Sequence, residues 1–400
     1  METIKGFTDY TGEEAQKREA IRKIIVATFE KYGFEPAETP VIEDENFVKG
    51  DNEKDEAVSD VYKLEDKGKR KLALRYEFTF QLKRIAKNKK LPYKRYQIGP
   101  VFRDEPISSN RFRQFISCDL DVVGSSLHDE AEVLSIAKEL LEKLGIKAVI
   151  YINNRKLLNE ILDKQGIKNK EQVIKEIDKL DKLSEKEIKN NLKKFGGDKV
   201  LEILKKPESY FKKYSSYKEI EKLKKYCRLF NVGIKFMPSL ARGLSYYDGT
   251  IFEIKSKQNQ EILINSSKLG QVKGIKETIF GGGAYTFNNV PSFGFGVSIE
   301  RLSAVSEIKE IANPVLIISI NKDKEAVKLA KDLRSKGISC SLYYGKPGKA
   351  LEYANSKKLQ YAVFVGDKEV KSKKFTLKDL KSGKESKLGV SELVKKLSCL

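Results

Sequence analysis

The chain has 400 residues, 40% hydrophobic and 34% charged, which is enough for two or three domains around buried cores. Its net charge of +21, from 78 Lys and Arg against 57 Asp and Glu, points to a polyanionic partner, nucleic acid first. One histidine and four widely separated cysteines exclude a His-rich metal site, a Cys-x-x-Cys pair and a disulfide framework, and they fit a reducing compartment.

The opening METIKGFTDYTGEEAQ has no apolar core of a leader peptide, and no run approaches the roughly 18 apolar residues of a membrane span. A cytoplasmic protein with no membrane association is the expectation. From Gly12 to Tyr32 apolar residues recur at helical spacing (Ala20, Ile21, Ile24, Ile25, Phe29), and Gly33 ends the helix. Phe34 to Ile42 reads as a strand, and Pro40 within it suits an edge or an interface. A hairpin turning at Asp66 to Lys69 follows, then a strand that runs into a helix from about Thr79.

Ile98 to Asp121, IGPVFRDEPISSNRFRQFISCDLD, reads as two β runs joined by a polar loop. Arginine offers a planar fork of donors that fits phosphate oxygens in pairs, so Arg103 and Arg111 are phosphate candidates. Strand alternation puts Arg103 and Glu105 on one face, a cation beside an acceptor for an exocyclic amine. Phe115 on the return strand can stack on a base. On these residues alone an edge hairpin with solvated arginines explains the pattern as well.

The only histidine, His128, lies where Ser126 and Asp129 mark a helix start, so a Ser-His-Asp or Cys-His triad is not expected. Helix is predicted from Asp129 to Leu144 and strand from Lys147 to Ile152, followed by a Lys- and Glu-rich helical insertion over 155–230 with a break at Gly196 and Gly197. Strand patterns return at Gly243 to Lys255, Glu261 to Ile264, Thr278 to Tyr285 and Ser292 to Ser298, and Ile299 starts a helix. Hairpin turns outnumber crossovers, so the core is an α/β (α+β) fold on an antiparallel sheet. From Asn313 the composition changes to 20 Lys or Arg against 9 Asp or Glu, over an alternation that predicts a small βαβαβ domain with a mostly parallel sheet.

Three further clusters carry chemistry. In LRYEFT, Glu77 and Thr79 can receive an ammonium group; LARGLSYYDGTIFE sets Arg242 before paired tyrosines; and FGGGAYTFNNVPSFGFGVSIERL joins a glycine run to Tyr285 and Arg301. Taken in order, these clusters resemble the histidyl-tRNA synthetases, members of the class II aminoacyl-tRNA synthetases, over nearly the whole chain. GFTDYTGEEAQ with YGFEPAETPVIED is similar to the first class II motif, FRDE with RFRQF to the second and GFGVSIERL to the third. LARGLSYYDGTIFE and GGGAY resemble the two signature peptides of the histidine enzymes. Residues 313–400 resemble the anticodon-binding domain shared by several class II enzymes.

The resemblance implies a histidine–tRNA ligase that uses ATP with Mg2+, L-histidine and tRNA-His and works as a homodimer. Its catalytic core would comprise residues 1–154 and 231–310 around the insertion, with the anticodon-binding domain at 313–400. It casts Arg103, Arg242 and Arg301 as the catalytic arginines, Arg103 on the α-phosphate and Arg301 on the γ-phosphate. Arg111 would serve the outer phosphates, with Glu105 and Phe115 on the adenine. Arg242 would approach the α-phosphate from the far side, where related enzymes rely on a metal, so no metal-ligating side chains are expected. Glu77 and Thr79 would take the amino group, with Ser117, Asp121, Arg242, Tyr246, Tyr247 and Tyr285 completing the histidine pocket.

Four positions depart from the family pattern: Ser245, Ala284 and Thr286 in the signature peptides, and Ser117 where a glutamine near the substrate ammonium is usual. The alternative is a catalytically silent relative acting as a regulatory subunit or tRNA sensor. Such relatives lose the phosphate arginines, the signature tyrosines or the terminal domain, and this chain keeps all three.

Overall fold

The computed structural model describes residues 2–49, 60–107, 111–181, 183–256, 278–308 and 314–398, so the strand expected at Glu261 to Ile264 lies outside the described residues. Contacts divide the chain into two compact units, residues 1–309 and 310–400.

The first unit opens with helix α1 (Gly12–Lys31), which buries Ile21, Ile25, Thr28 and Phe29 as the spacing requires. The chain then diverges from the single strand expected over Phe34 to Ile42. It forms β1 (Glu35–Pro36) and β2 (Ile42–Asp44), which join two different sheets. Arg75 gives the reason: the residue is 4% exposed, and its guanidinium donates to the carbonyls of Thr39 at 2.6 Å, Pro40 at 3.3 Å and Pro100 at 2.9 Å. A buried cation must be satisfied, and satisfying this one takes the link containing Pro40 out of any strand ladder.

The small sheet consists of β2, β3 (Lys63–Glu65) and β4 (Lys71–Leu74), in the order β2-β4-β3. The main sheet adds to β1 the strands β5 (Tyr93–Phe102), β6 (Gln114–Val123), β7 (Ala148–Asn154), β8 (Ile234–Phe236), β9 (Tyr247–Ser256), β10 (Thr278–Phe287) and β11 (Val290–Ser298). Their order is β1-β5-β6-β11-β10-β9-β7-β8, antiparallel except at the two edges, where β1 runs parallel to β5 and β7 to β8. The sequence pattern had not shown β8, a three-residue strand too short for alternation to register.

Period two divides this sheet into two chemistries. Cys118, Leu120 and Val122 of β6 and Phe293, Phe295 and Val297 of β11 enter the main core with α1 and with α4 (Leu127–Lys143). On the opposite face, Arg95, Gln97 and Gly99 of β5 stand beside Asp121, Asp119 and Ser117 of β6, and those beside Gly294, Gly296 and Ser298 of β11. Helix α4 starts as expected, with the Ser126 amide donating to Asp129 at 2.8 Å; its exposed His128 stacks against Tyr226 with centroids 3.8 Å apart.

Between β7 and β8, residues Arg155 to Leu229 are helical, and their apolar residues, among them Leu157, Ile161, Ile188 and Leu223, enter the same core as the sheet. Contacts do not divide them from the sheet as a separate unit.

The second unit forms a five-stranded sheet, order β13-β12-β14-β15-β16, from β12 (Val315–Ser319), β13 (Cys340–Tyr344), β14 (Tyr361–Val365), β15 (Phe375–Asp379) and β16 (Glu385–Leu388). The expected βαβαβ is its parallel part, with β12 between β13 and β14. An antiparallel β15–β16 hairpin extends it, in a lysine-rich stretch whose strand pattern is weak. Leu316 and Ile318 of β12 pack towards a helix at Pro347–Ser356, while Val315 and Ile317 pack towards one at Asp323–Ser335, so the strand is apolar on both faces. Among the described residues no helix is long and apolar enough to cross a membrane.

Candidate active site

A cleft lies over the polar face of the main sheet, and four guanidiniums from three separate parts of the chain meet in it. Arg103 follows β5 immediately. Its Nε donates to the Tyr76 carbonyl at 3.3 Å, and its guanidinium lies 5.2 Å from the centre of the Phe115 ring on β6. Arg242 comes from the loop before β9, ion-paired to Glu253 at 3.0 Å and 5.8 Å from the Tyr247 ring centre. Arg301 lies in the first turn of α11 (Ile299–Val305), its amide donating to Ser298 Oγ at 3.2 Å and its Nη1 to the Thr278 carbonyl at 2.9 Å. Arg111 pairs with Glu105 at 3.2 Å, so the expected amine acceptor is held by a cation until a ligand competes for it.

These arginines fit because the floor beneath them lacks side chains. A Cβ on Gly281 would stand 2.4 Å from Arg242 Nη1. The same holds beside the acids, since a Cβ on Gly294 would meet Asp121 Oδ1 at 2.2 Å. The GGG and GFG peptides are therefore the means by which a crowded sheet face keeps an open cleft.

The other end of the cleft is acidic. Glu77, Thr79, Ser117, Asp119, Tyr246 and Tyr247 line it. Burial pushes the Glu77 carboxyl up to about 7, Arg103 opposes the shift, and Asp119 and Asp121 add to it. Glu77 Oε1 is buried and has no hydrogen-bond partner among the described residues.

The cleft thus gathers the sequence candidates Glu77, Thr79, Arg103, Glu105, Arg111, Phe115, Ser117, Arg242, Tyr246, Tyr247 and Arg301, while Asp121 and Tyr285 are not part of its lining. Both are used elsewhere. Asp121 pairs with the fully buried Arg95 at 2.9 Å and accepts the Tyr285 hydroxyl at 2.6 Å. A guanidinium with no exposure requires such an anion, which keeps both residues out of the lining. The lining acid on this strand is instead Asp119, which sequence reasoning missed. Alternation from Ser117 to Asp121 was the signal that would have found it. Ser245, Ala284 and Thr286 are likewise absent from the lining, and Thr286 is exposed.

A stability experiment checks the state of Glu77. Its folded carboxyl titrates near 7 against an ordinary 4.5, so between these values the folded chain holds a proton that the unfolded chain has released. Stability therefore falls as pH rises through this window, and the deficit is complete above it. Wild type should lose about 3 kcal/mol more than Glu77→Gln between pH 5 and pH 8 in denaturant unfolding. Parallel pH profiles for the two proteins would contradict this account of the carboxyl.

Known proteins match this chain over nearly its whole length. The histidyl-tRNA synthetase family model matches residues 6–302, and an anticodon binding domain model matches residues 314–400. Histidine–tRNA ligase 1 of Bacillus cereus is 34% identical over 429 aligned positions, covering 98% of this chain and 96% of that protein. The crystal structure of histidyl-tRNA synthetase from Nostoc sp. PCC 7120 superposes with a TM-score of 0.82 at 25% identity, covering 100% of this chain and 99% of that one. A Bacillus halodurans protein described as an ATP phosphoribosyltransferase regulatory subunit/histidyl-tRNA synthetase shares the fold, with a TM-score of 0.70 at 18% identity over 89% of this chain. An arginine-walled cleft with an acidic end, followed by a separate α/β unit, is the arrangement that these matches cover from one end to the other, and the chain belongs to the histidyl-tRNA synthetase family.

Proposed function

We propose that the chain is a histidine–tRNA ligase that activates L-histidine with ATP and esterifies the 3′ end of tRNA-His. The observation that carries this reading is the convergence of Arg103, Arg242 and Arg301 on one cleft that also holds the buried Glu77.

The chemistry needs no protein nucleophile. A carboxylate oxygen of histidine attacks the α-phosphorus of ATP in line, the bond to the bridging oxygen breaks, and pyrophosphate leaves with the electron pair. What the protein must do is hold two anions together and neutralise the charge that develops. Arg103 and Arg242 would approach the α-phosphate from opposite sides, and Arg301 and Arg111 would hold the outer phosphates. Phe115 supplies a ring for the adenine, and Glu105, once Arg111 turns to phosphate, an acceptor for its amine. Glu77 and Thr79 orient the amino acid through its ammonium, and Tyr246 and Tyr247, ring centres 4.7 Å apart, flank the side chain. In the second step the terminal ribose of tRNA attacks the acyl carbon and AMP leaves.

Among the described residues no group of three or more His, Cys, Asp or Glu side chains is arranged to hold a metal ion. Mg2+ would enter with ATP, and Arg103, Arg242 and Arg301 would carry the protein's share of the charge. The basic second unit supports a role in gripping the anticodon arm, and residues 155–230 one near the acceptor stem. Ile42 and Leu64, 49% and 40% exposed in the small sheet near Pro40, support a homodimer interface there. The buried free cysteines Cys118, Cys227 and Cys340 fit the reducing cytoplasm.

Pyrophosphate exchange with a panel of the twenty amino acids tests the reading. Histidine alone should stimulate exchange, and tRNA-His should then accept it. Exchange with a different amino acid would change the substrate, and tRNA binding without any exchange would restore the silent-relative reading. The retained arginines and tyrosines argue against that last result.

A further inference from the structure

The acidic end of the cleft holds one more carboxylate than its known duties use. Asp121 is committed to Arg95 and Tyr285. Asp119, two residues earlier on the same face of β6, is not. Among the described residues its hydrogen-bond donor is Ser117, whose hydroxyl lies 2.5 Å from Oδ1. Gln97, its neighbour on β5, donates through its amide nitrogen to Thr39 Oγ1 at 2.7 Å, and among the described residues no hydrogen bond joins it to Asp119. On the other side stands Gly296, where a Cβ would come within 3.2 Å of Asp119 Oδ1. The carboxylate is thus held by Ser117, left clear on its β11 side and turned into the cleft.

Two independent features indicate what should arrive there. Glu77, 8% exposed, lines the same cleft and leaves Oε1 buried and unpartnered, and Gln97 Oε1 is a second buried acceptor without a donor. Of the fixed cations that act on Asp119, Arg95 is paired with Asp121 and Arg103 is anchored at the Tyr76 carbonyl, and among the described residues neither donates a hydrogen bond to Asp119. Glu77 and Asp119 thus present two carboxylates to one cleft, and the partner that suits them is a compact cation with several N–H groups. An amino acid's α-ammonium supplies a positive charge and three donors.

We propose that Asp119 is a substrate-binding residue that forms, with Glu77, a two-carboxylate receptor for the α-ammonium of the amino acid. Ser117, which stands where the family usually has a glutamine, is then a positioning residue that aims Asp119 through its hydroxyl. The pocket replaces a neutral amide contact with a charged one, supplied two residues further along the strand. This inference rests on the ligase reading and sharpens it. Burial raises Asp119 to about 6 and Glu77 to about 7, consistent with a pair whose charge is completed only by a bound cation.

The test compares two ligands on the full-length chain: L-histidine, and 3-(imidazol-4-yl)propionate, which lacks the ammonium. Asp119→Asn, which keeps the shape and removes the charge, should raise KM for histidine roughly 10- to 100-fold. The inhibition constant of the propionate and KM for ATP should stay within about twofold, because neither involves the ammonium. Ser117→Ala should move histidine alone in the same direction, by roughly 2- to 10-fold. Where a variant is too slow for kinetics, the rise in Tm that each ligand induces gives the same comparison. Equal weakening of both ligands would reveal a merely structural Asp119 and overturn the proposal, as would an unchanged histidine KM. A wild-type chain without histidine-dependent exchange would instead remove the ligase reading itself, so the two failures are distinct.

Discussion

Arg242→Ala should reduce histidine-dependent pyrophosphate exchange by about a hundred- to a thousandfold while leaving the chain folded. The expected size comes from the position of this side chain. It is one of the arginines available to charge developing on the α-phosphate, and it acts in a cleft from which the ligands displace water, where a fixed cation is worth far more than in solution. The fold should tolerate the change because Glu253, its ion-pair partner, keeps the Thr278 hydroxyl at 2.9 Å and Lys255 at 3.4 Å. No buried carboxylate is left alone, so the usual penalty for breaking such a pair is largely avoided. Arg242→Lys should recover only part of the loss, because an ammonium cannot present the paired donors of a guanidinium. Exchange within a few-fold of wild type in Arg242→Ala would remove this residue from the chemistry.

Two adjacent glycines should fail in opposite ways. Gly282→Ala should destabilise the chain by about 3 kcal/mol or more in denaturant unfolding, because its Cβ would fall 2.1 Å from the Gly294 carbonyl and 2.8 Å from Phe295 Cα. Both are backbone atoms of the neighbouring strand, which cannot move without opening the β10–β11 ladder. Gly281→Ala places its Cβ 2.4 Å from Arg242 Nη1, the end of a flexible side chain that can swing aside. Stability should change by less than about 1 kcal/mol, while exchange falls almost as far as in Arg242→Ala, since the guanidinium has lost its seat. Unfolding curves and exchange rates measured on the same two preparations separate the effects. A fully active Gly281→Ala chain would mean that Arg242 does its work from a place other than the one it occupies here.

Much of this protein was legible in the chain itself. Helical spacing set α1, Ser126 and Asp129 marked the start of α4, and turn residues placed the hairpin at Asp66 to Lys69. The motif order brought Arg103, Arg242 and Arg301 forward before any fold was known. Other features were hidden. The three residues of β8 carry too little pattern, and β15 and β16 lie in a lysine-rich stretch where hydrophobic alternation is faint.

The residue types, the order of the strongly patterned elements and the family were determined by the sequence alone, because helix and strand periodicities are local and the motifs are short and contiguous. The tertiary structure decided which candidates line the cleft. Asp119 and Asp121 share a strand face and a chemistry, and nothing within RFRQFISCDLD distinguishes them. The choice follows from strand register, which sets Arg95 opposite Asp121 and Gln97 opposite Asp119, and from the buried guanidinium that claims the acid beside it. The same holds for Arg75, whose need for carbonyl partners breaks the strand expected around Pro40. In both places a charge taken out of water had to be satisfied by groups distant in sequence, and only folding brings those groups together.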